Sequence, residues 1–175
     1  MQRMIAYGDS NTFGYDPHAY LGGRYDADHR WVDLLEKKLC CEIVNRGLNG
    51  RMIPHTERDL DDAVETIRVN LPADRILVLL GTNDVWCMSQ PDYAVVEERM
   101  DVFLARLCAE FPKEEILIAE PPMVPCGLYV DIARKHNVQR IDFSKWNLQI
   151  AFDGGHYEPE AHVTIAERLA EILTE

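Results

Sequence analysis

The run Arg75-Ile76-Leu77-Val78-Leu79-Leu80, closed by Gly81, is the feature that most restricts the fold of this chain. A strand with one wet face alternates apolar and polar residues, whereas a strand covered on both faces is apolar throughout. The run therefore predicts a central strand of a parallel sheet with helices above and below it. Arg3 to Tyr7, ending at Gly8, reads as a second buried strand. Cys41 to Asn45 reads as another, followed by the loop Arg46-Gly47-Leu48-Asn49-Gly50. Glu115 to Ala119 is a fourth, ended by Pro121-Pro122, and Val138 to Phe143 a fifth. Between these, Trp31 to Leu39, Thr56 to Asn70, Asp92 to Phe111, Val130 to His136 and Ala161 to Leu173 carry apolar residues at helical spacing. Thr56 and Asp59 are N-terminal helix signals, and Pro112 is a stop. Alternating strands and helices, without repeat or linker, predict one three-layer α/β/α domain over residues 1–175 on a mainly parallel, five-stranded sheet.

Charge and cysteine usage narrow the function. A formal net charge of −12 argues against a nucleic-acid surface, because phosphate contacts need clustered Lys and Arg. No apolar run reaches the roughly 18–20 residues that span a membrane. The N-terminus runs straight into a core strand, so no secretory signal is expected. The cysteines Cys40, Cys41, Cys87, Cys108 and Cys126 are odd in number and lack a CxxC pair. They read as free thiols in a reducing, cytoplasmic setting. Assembly into a homo-oligomer is left open.

In an open α/β sheet, ligands bind beyond the C-terminal ends of the strands. Those ends carry Gly8-Asp9-Ser10-Asn11-Thr12, the 45–50 loop, Gly81-Thr82-Asn83-Asp84 and Glu120-Pro121-Pro122. The loop before the last helix carries Asp153-Gly154-Gly155-His156. Acyl transfer needs a nucleophile, a base, a carboxylate that orients the base, and donors for an oxyanion. Ser10 is the candidate nucleophile, His156 the base and Asp153 the orienting carboxylate. Asn83, through its side-chain amide, and the backbone N–H groups of Ser10 and Gly50 are candidate oxyanion donors; each such donor is typically worth about 3 kcal/mol in a transition state. Alone, Ser10 would read as a turn or capping serine. His162 rivals His156, but it opens a helix, where capping or packing is expected. Asp84 reads as a turn or N-cap residue. Asp9, His156 and His162 fit no familiar zinc spacing, so neither metal nor cofactor is expected.

These segments resemble, in order, the sequence blocks of the SGNH, or GDSL-type, hydrolase superfamily, and they span nearly the whole chain. Any one block is weak, since Gly-Asp-Ser arises often by chance; the ordered set is specific. The resemblance implies a flavodoxin-like fold and metal-free ester hydrolysis through Ser, His and Asp, with oxyanion donors from Ser, Gly and Asn. Trp31-Val32 and Gly47-Leu48-Asn49-Gly50-Arg51 are similar to the arylesterase and acyltransferase-like branch. Position in the motif favours Gly50 over Gly47 as the amide donor.

Asn11 stands where the family name has Leu, which makes it a candidate substrate-binding residue together with Trp86, Met123 and Val124. Cys87, Met88 and Cys126 follow strand ends and are further pocket candidates. The polar, Gly-containing segment from Tyr15 to His29 is long enough to overhang the site. The leading expectation is a small or medium acyl ester as substrate. Acyl transfer to an alcohol, sugar O-deacetylation and an idle anion-binding protein are the alternatives.

Overall fold

The computed structural model describes residues 1–86, 90 and 92–174. The expected pocket candidates Cys87 and Met88 lie outside the described residues. The main sheet is parallel, with strands β1 (Arg3–Gly8), β4 (Glu42–Gly47), β5 (Arg75–Leu79), β6 (Ile116–Glu120) and β7 (Gln139–Asp142) in the order β4-β1-β5-β6-β7. Registers such as Ile5↔Val44, Ile5↔Ile76, Val78↔Ile118 and Ala119↔Ile141 fix its alignment. The chain moves outward from β1 in both directions, and this creates the switch point at which doubly wound sheets bind ligands.

Strand alternation explains why the central run is apolar on both sides. Ile76 and Val78 point into one core with Ile5, Tyr7 and Ile118. There they meet Leu60, Val64 and Ile67 of α3 (Glu57–Arg68), Met100, Phe103, Leu104 and Leu107 of α5 (Tyr93–Glu110), and Ile132 of α6 (Val130–His136). Leu77 and Leu79 point the other way with Met4, Ala6 and Leu117. They meet Trp31 and Leu35 of α2 (Trp31–Leu39) and Ile165 and Leu169 of α7 (Pro159–Thr174). Each fully buried aliphatic side chain of this kind stabilises the fold by roughly 1.5–3 kcal/mol.

The helix ends follow their capping chemistry. The Thr56 side chain accepts from Asp59 N at 3.2 Å, so Thr56 caps α3 rather than lying in it. Asp92 caps α5 in the same way through Ala94 N. Strand β4 runs two residues past the expected Asn45 because its ladder with β1 continues to Gly8↔Gly47. Backbone pairing is indifferent to the polar Arg46 side chain, so the apolar pattern stops before the strand does. Helix α7 begins at Pro159, where the fixed φ of proline suits a first helical turn.

Among the described residues, besides single 3₁₀ turns at Ala27–His29, Lys113–Glu115 and Phe143–Lys145, three short elements were not anticipated. They are α1 (Ser10–Phe13), α4 (Thr82–Trp86) and an antiparallel hairpin of β2 (Tyr15–Asp16) with β3 (Gly23–Arg24). All three are too short to express a hydrophobic period, and all follow the ends of β1 or β5.

Candidate active site

Ser10 is the first residue of α1, immediately beyond β1, and is 5% exposed. Asp9 caps that helix with Oδ1, which accepts from Asn11 N at 2.9 Å. His156 arrives from the loop before α7, and its Nε2 lies 2.9 Å from Ser10 Oγ. Its Nδ1 lies 2.6 Å from Asp153 Oδ2. The other Asp153 oxygen accepts the N–H groups of Gly155 at 3.0 Å and His156 at 3.1 Å. Burial raises the Asp153 carboxyl, but these hydrogen bonds outweigh it and hold the group below the usual carboxylate range. An ionised Asp153 can only accept, so Nδ1 carries the imidazole proton and Nε2 is left to accept from the serine hydroxyl. Ser10, His156 and Asp153 thus form one hydrogen-bonded chain of the kind that activates a hydroxyl as a nucleophile.

Asn83 sits on α4, is buried, and donates from Nδ2 to Arg51 O at 2.9 Å. Its neighbour Asp84 is wholly buried and accepts from Ile53 N at 2.9 Å and Arg99 Nη1 at 3.0 Å. Burial raises the Asp84 carboxyl, with the Ile53 and Arg99 hydrogen bonds opposing. Asp84 lies inside α4 and is therefore neither the turn nor the N-cap residue expected from sequence; with Asn83 it ties the loop after β4 to the end of β5. Arg51 completes that tie by donating to Gly8 O at 2.8 Å and to Arg46 O, with its guanidinium 4.1 Å from the Tyr7 ring centre.

Ser10, Tyr15, Asn49, Gly50, Asn83, Trp86 and His156 line a cavity of about 220 Å³. The Tyr15 ring centre lies 4.5 Å from the imidazole centre, and the Trp86 ring stands nearly perpendicular to the same imidazole with centres 5.5 Å apart. A Cβ on Gly155 would stand 2.7 Å from Trp86 Cζ3, so this approach of the indole needs glycine there. Gly50 has φ +74 and open space where a Cβ would be. Gly47 is different: a Cβ there would stand 2.1 Å from Phe13 N, so Gly47 packs under α1 and away from the cavity. A larger hollow of about 370 Å³ beside α5 and α6 is lined by Ala94, Glu97, Glu98, Asp101, Asp131, Ile132 and Lys135, with no hydroxyl or imidazole among them.

The geometry thus gathers Ser10, Gly50, Asn83, Asp153, His156 and Trp86, and it adds Tyr15 and Asn49. Tyr15 belongs to the 15–29 segment, which supplies one wall of the cavity. The other three expected substrate contacts lie elsewhere. Val124 is 1% exposed and packed in the core, and Met123 is half-buried and does not line the cavity. Asn11 is 2% exposed, with its amide turned to the backbone of the His156 loop. His162 is fully buried, and burial, followed by the nearby Arg30 and His29 charges, lowers it to about 3. Its Nδ1 accepts from Trp31 N at 3.3 Å, a packing role beneath the site.

Among the described residues, one group could offer three metal-ligand atoms: Glu120, Cys126 and Asp142. Arg140 Nη1 already stands 3.1 Å from Glu120 Oε2 and 3.5 Å from Asp142 Oδ2, so a cation occupies that position. Cys40, Cys41, Cys108 and Cys126 are free thiols. No described helix is long and apolar enough to cross a membrane.

Several solved structures superpose on nearly the full chain. The aryl esterase of M. smegmatis aligns with a TM-score of 0.86 at 20% identity, covering 99% of each chain. Est24, a carbohydrate acetylesterase from Sinorhizobium meliloti, aligns at 0.83 and 20% identity, again over 99% of each chain. A carbohydrate acetylesterase family member from the same organism aligns at 0.82 and 23% identity, over 99% of this chain and 97% of that one. At these identities the likeness establishes the fold. Among curated proteins, no sequence relative matches this chain. The profile of the GDSL-like Lipase/Acylhydrolase family matches residues 6–163, from within β1 to within α7 and across every segment that lines the cavity. The chain belongs to the GDSL-like lipase/acylhydrolase family and is an esterase.

Proposed function

We propose that this esterase hydrolyses carboxylic esters of small acyl groups, with Ser10 as nucleophile, His156 as general base and acid, and Asp153 as the carboxylate that holds His156. The observation that carries this reading is the unbroken path from Ser10 Oγ through both imidazole nitrogens to Asp153, at 2.9 and 2.6 Å, opening on the cavity. Ser10 Oγ attacks the ester carbonyl as Nε2 takes its proton. The resulting oxyanion is met by the N–H groups of Ser10 and Gly50 and by Asn83 Nδ2, which has one proton left after its bond to Arg51 O. His156 returns the proton to the departing alcohol, and an acyl-Ser10 ester remains. Water, deprotonated by His156, then releases the acid and restores Ser10.

The cavity favours a short acyl group. At about 220 Å³ it falls below the roughly 300–1,000 Å³ of sites that enclose drug-sized ligands. Structural neighbours named for aryl esters and for acetylated carbohydrates support an acetyl-sized acyl group on an aryl or sugar alcohol. The same acyl-enzyme would acylate an alcohol that displaced water, and product analysis with added alcohol reads that partition. Free thiols at Cys40, Cys41, Cys108 and Cys126 support a reducing, cytoplasmic setting.

The test is Ser10→Ala. Turnover of a short-chain aryl ester should fall by at least ~10³-fold with the melting curve unchanged. A fluorophosphonate should label Ser10 in the wild-type protein. Undiminished turnover in the variant would overturn the reading.

A further inference from the structure

Nothing in the reaction just described uses Asn11, although it directly follows the proposed nucleophile. Its amide is spent on two backbone groups far along the chain. Nδ2 donates to Gly155 O at 3.0 Å, and Oδ1 accepts from Tyr157 N at 3.1 Å. Gly155 and Tyr157 are the residues on either side of His156. The Asn11 backbone is itself anchored, its N–H donating to Asp9 Oδ1 at 2.9 Å and its carbonyl accepting from Trp31 Nε1 at 3.0 Å.

We propose that Asn11 is a positioning residue, which grips both peptide flanks of His156 from the helix that carries Ser10 and so sets the separation of Nε2 from Ser10 Oγ. The inference rests on the reading of Ser10 and His156 as nucleophile and base. The loop's own bonds, such as Ala151 N to His156 O at 2.8 Å, hold its shape but do not tie it to α1. Asn11 supplies that tie with a donor and an acceptor on one planar group, matched to the Gly155 carbonyl and the Tyr157 N–H. Leucine, the residue in the family's name, would fill the volume and supply neither. The contact is 2% exposed, so water cannot replace the lost partners cheaply. A displacement of the base by as little as 1 Å is enough to cost about 10²-fold in rate.

The experiment compares wild type, Ser10→Ala, Asn11→Leu and Asn11→Asp on a short-chain aryl ester, with fluorophosphonate labelling and a melting curve for each. For Asn11→Leu, kcat should fall about 10- to 100-fold while KM changes by less than about threefold, and Ser10 labelling should slow in proportion to kcat. Asn11→Asp adds a readout that packing alone would not move. A protonated carboxyl carries one donor and one acceptor, as the amide does, whereas the ionised form sets an anion against Gly155 O. The ratio of variant to wild-type kcat should therefore rise about tenfold from pH 8 to pH 5. Wild-type kcat in folded Asn11→Leu, or a loss confined to KM, would overturn the proposal; the second result would make Asn11 a substrate contact. If Asn11→Leu does not fold, a pH-independent ratio for Asn11→Asp overturns it instead. If Ser10 is not labelled in the wild type, the triad reading falls and the proposal falls with it. If labelling is normal in both wild type and Asn11→Leu, only the proposal falls.

Discussion

The Asp153 carboxylate and the His156 imidazole meet at 2.6 Å within a single turn of chain, and the other Asp153 oxygen closes that turn by accepting the His156 N–H. The carboxylate therefore orients the imidazole and builds the loop that presents it. Gly154 and Gly155 between the two residues leave the backbone free to make this tight return.

Asp153→Asn should separate these duties. The amide oxygen can still accept the backbone N–H groups, so the loop is retained. The amide nitrogen would donate to Nδ1, which moves the imidazole proton to Nε2 and turns it against Ser10 Oγ. The expected loss in kcat is ~10³- to 10⁴-fold, with Ser10 labelling slowed to match and melting little changed. Steady-state kinetics with the fluorophosphonate time course checks this, and a variant near wild-type rate would show that His156 keeps its tautomer without the anion.

Tyr15 and Trp86 close the cavity on two sides of His156, so truncating either should lengthen the acyl chain accepted. Each methylene newly enclosed contributes about 0.8 kcal/mol, or roughly fourfold in kcat/KM. Trp86→Ala is the cleaner change, because Trp86 is 42% exposed at the rim and its loss removes little core packing. A panel of esters from acetyl to octanoyl reads the outcome. An acyl-length profile identical to wild type would mean that the acyl group lies elsewhere.

Asp9 and His162 should give the fold opposite responses to pH. Burial raises the Asp9 carboxyl from 3.8 to about 7, with the Asn11 N–H and Arg51 opposing and Asp84 adding to the rise. Burial lowers His162 from 6.5 to about 3, with Arg30 and His29 acting in the same direction. Between roughly pH 4 and 6.5 the folded state keeps a proton on Asp9 that the unfolded chain has lost, so this group makes stability fall as pH rises. Over the same window the unfolded chain protonates His162 and the folded state does not, so that group makes stability rise. Each slope is about 1.4 kcal/mol per pH unit, and in the wild type they largely cancel. Urea unfolding of Asp9→Asn should show a stability gain over wild type that grows on the order of 4 kcal/mol from pH 4 to pH 7. His162→Asn should show the mirror trend, gaining on wild type as pH falls from 6.5 toward 3. Parallel curves for all three proteins would mean that neither group keeps its buried protonation state.

Much of this was readable in the chain because long elements advertise their faces. The run from Arg75 through Leu80 implied a central parallel strand, and β5 occupies that place with helices on both sides. Val130–His136 lies within the bounds expected from its spacing. The blocks around Ser10, Gly50, Asn83 and His156 pointed to one sheet edge, because residues that follow parallel strands must emerge there. Short and polar features were harder to read. The four-residue α1 has no period to detect, and the hairpin that brings Tyr15 to the cavity is two residues long on each side. Asn49 passed as a loop residue and Asp84 as a turn former, since nothing local distinguishes a buried carboxylate paired with Arg99 from an exposed one.

By itself, then, the sequence determined the layering of the fold, the order of its site segments and the residue types gathered at the strand ends. These follow from local rules: strand alternation, helical spacing and the direction of a parallel chain. Tertiary structure alone decided which way each side chain at that edge would turn. Asn11, expected to face substrate, faces the peptides that flank His156; Val124, expected in the pocket, is packed in the core. Orientation is set by partners more than a hundred residues away in the chain, as Asn11 and Gly155 are, and no local pattern encodes where such a partner will stand.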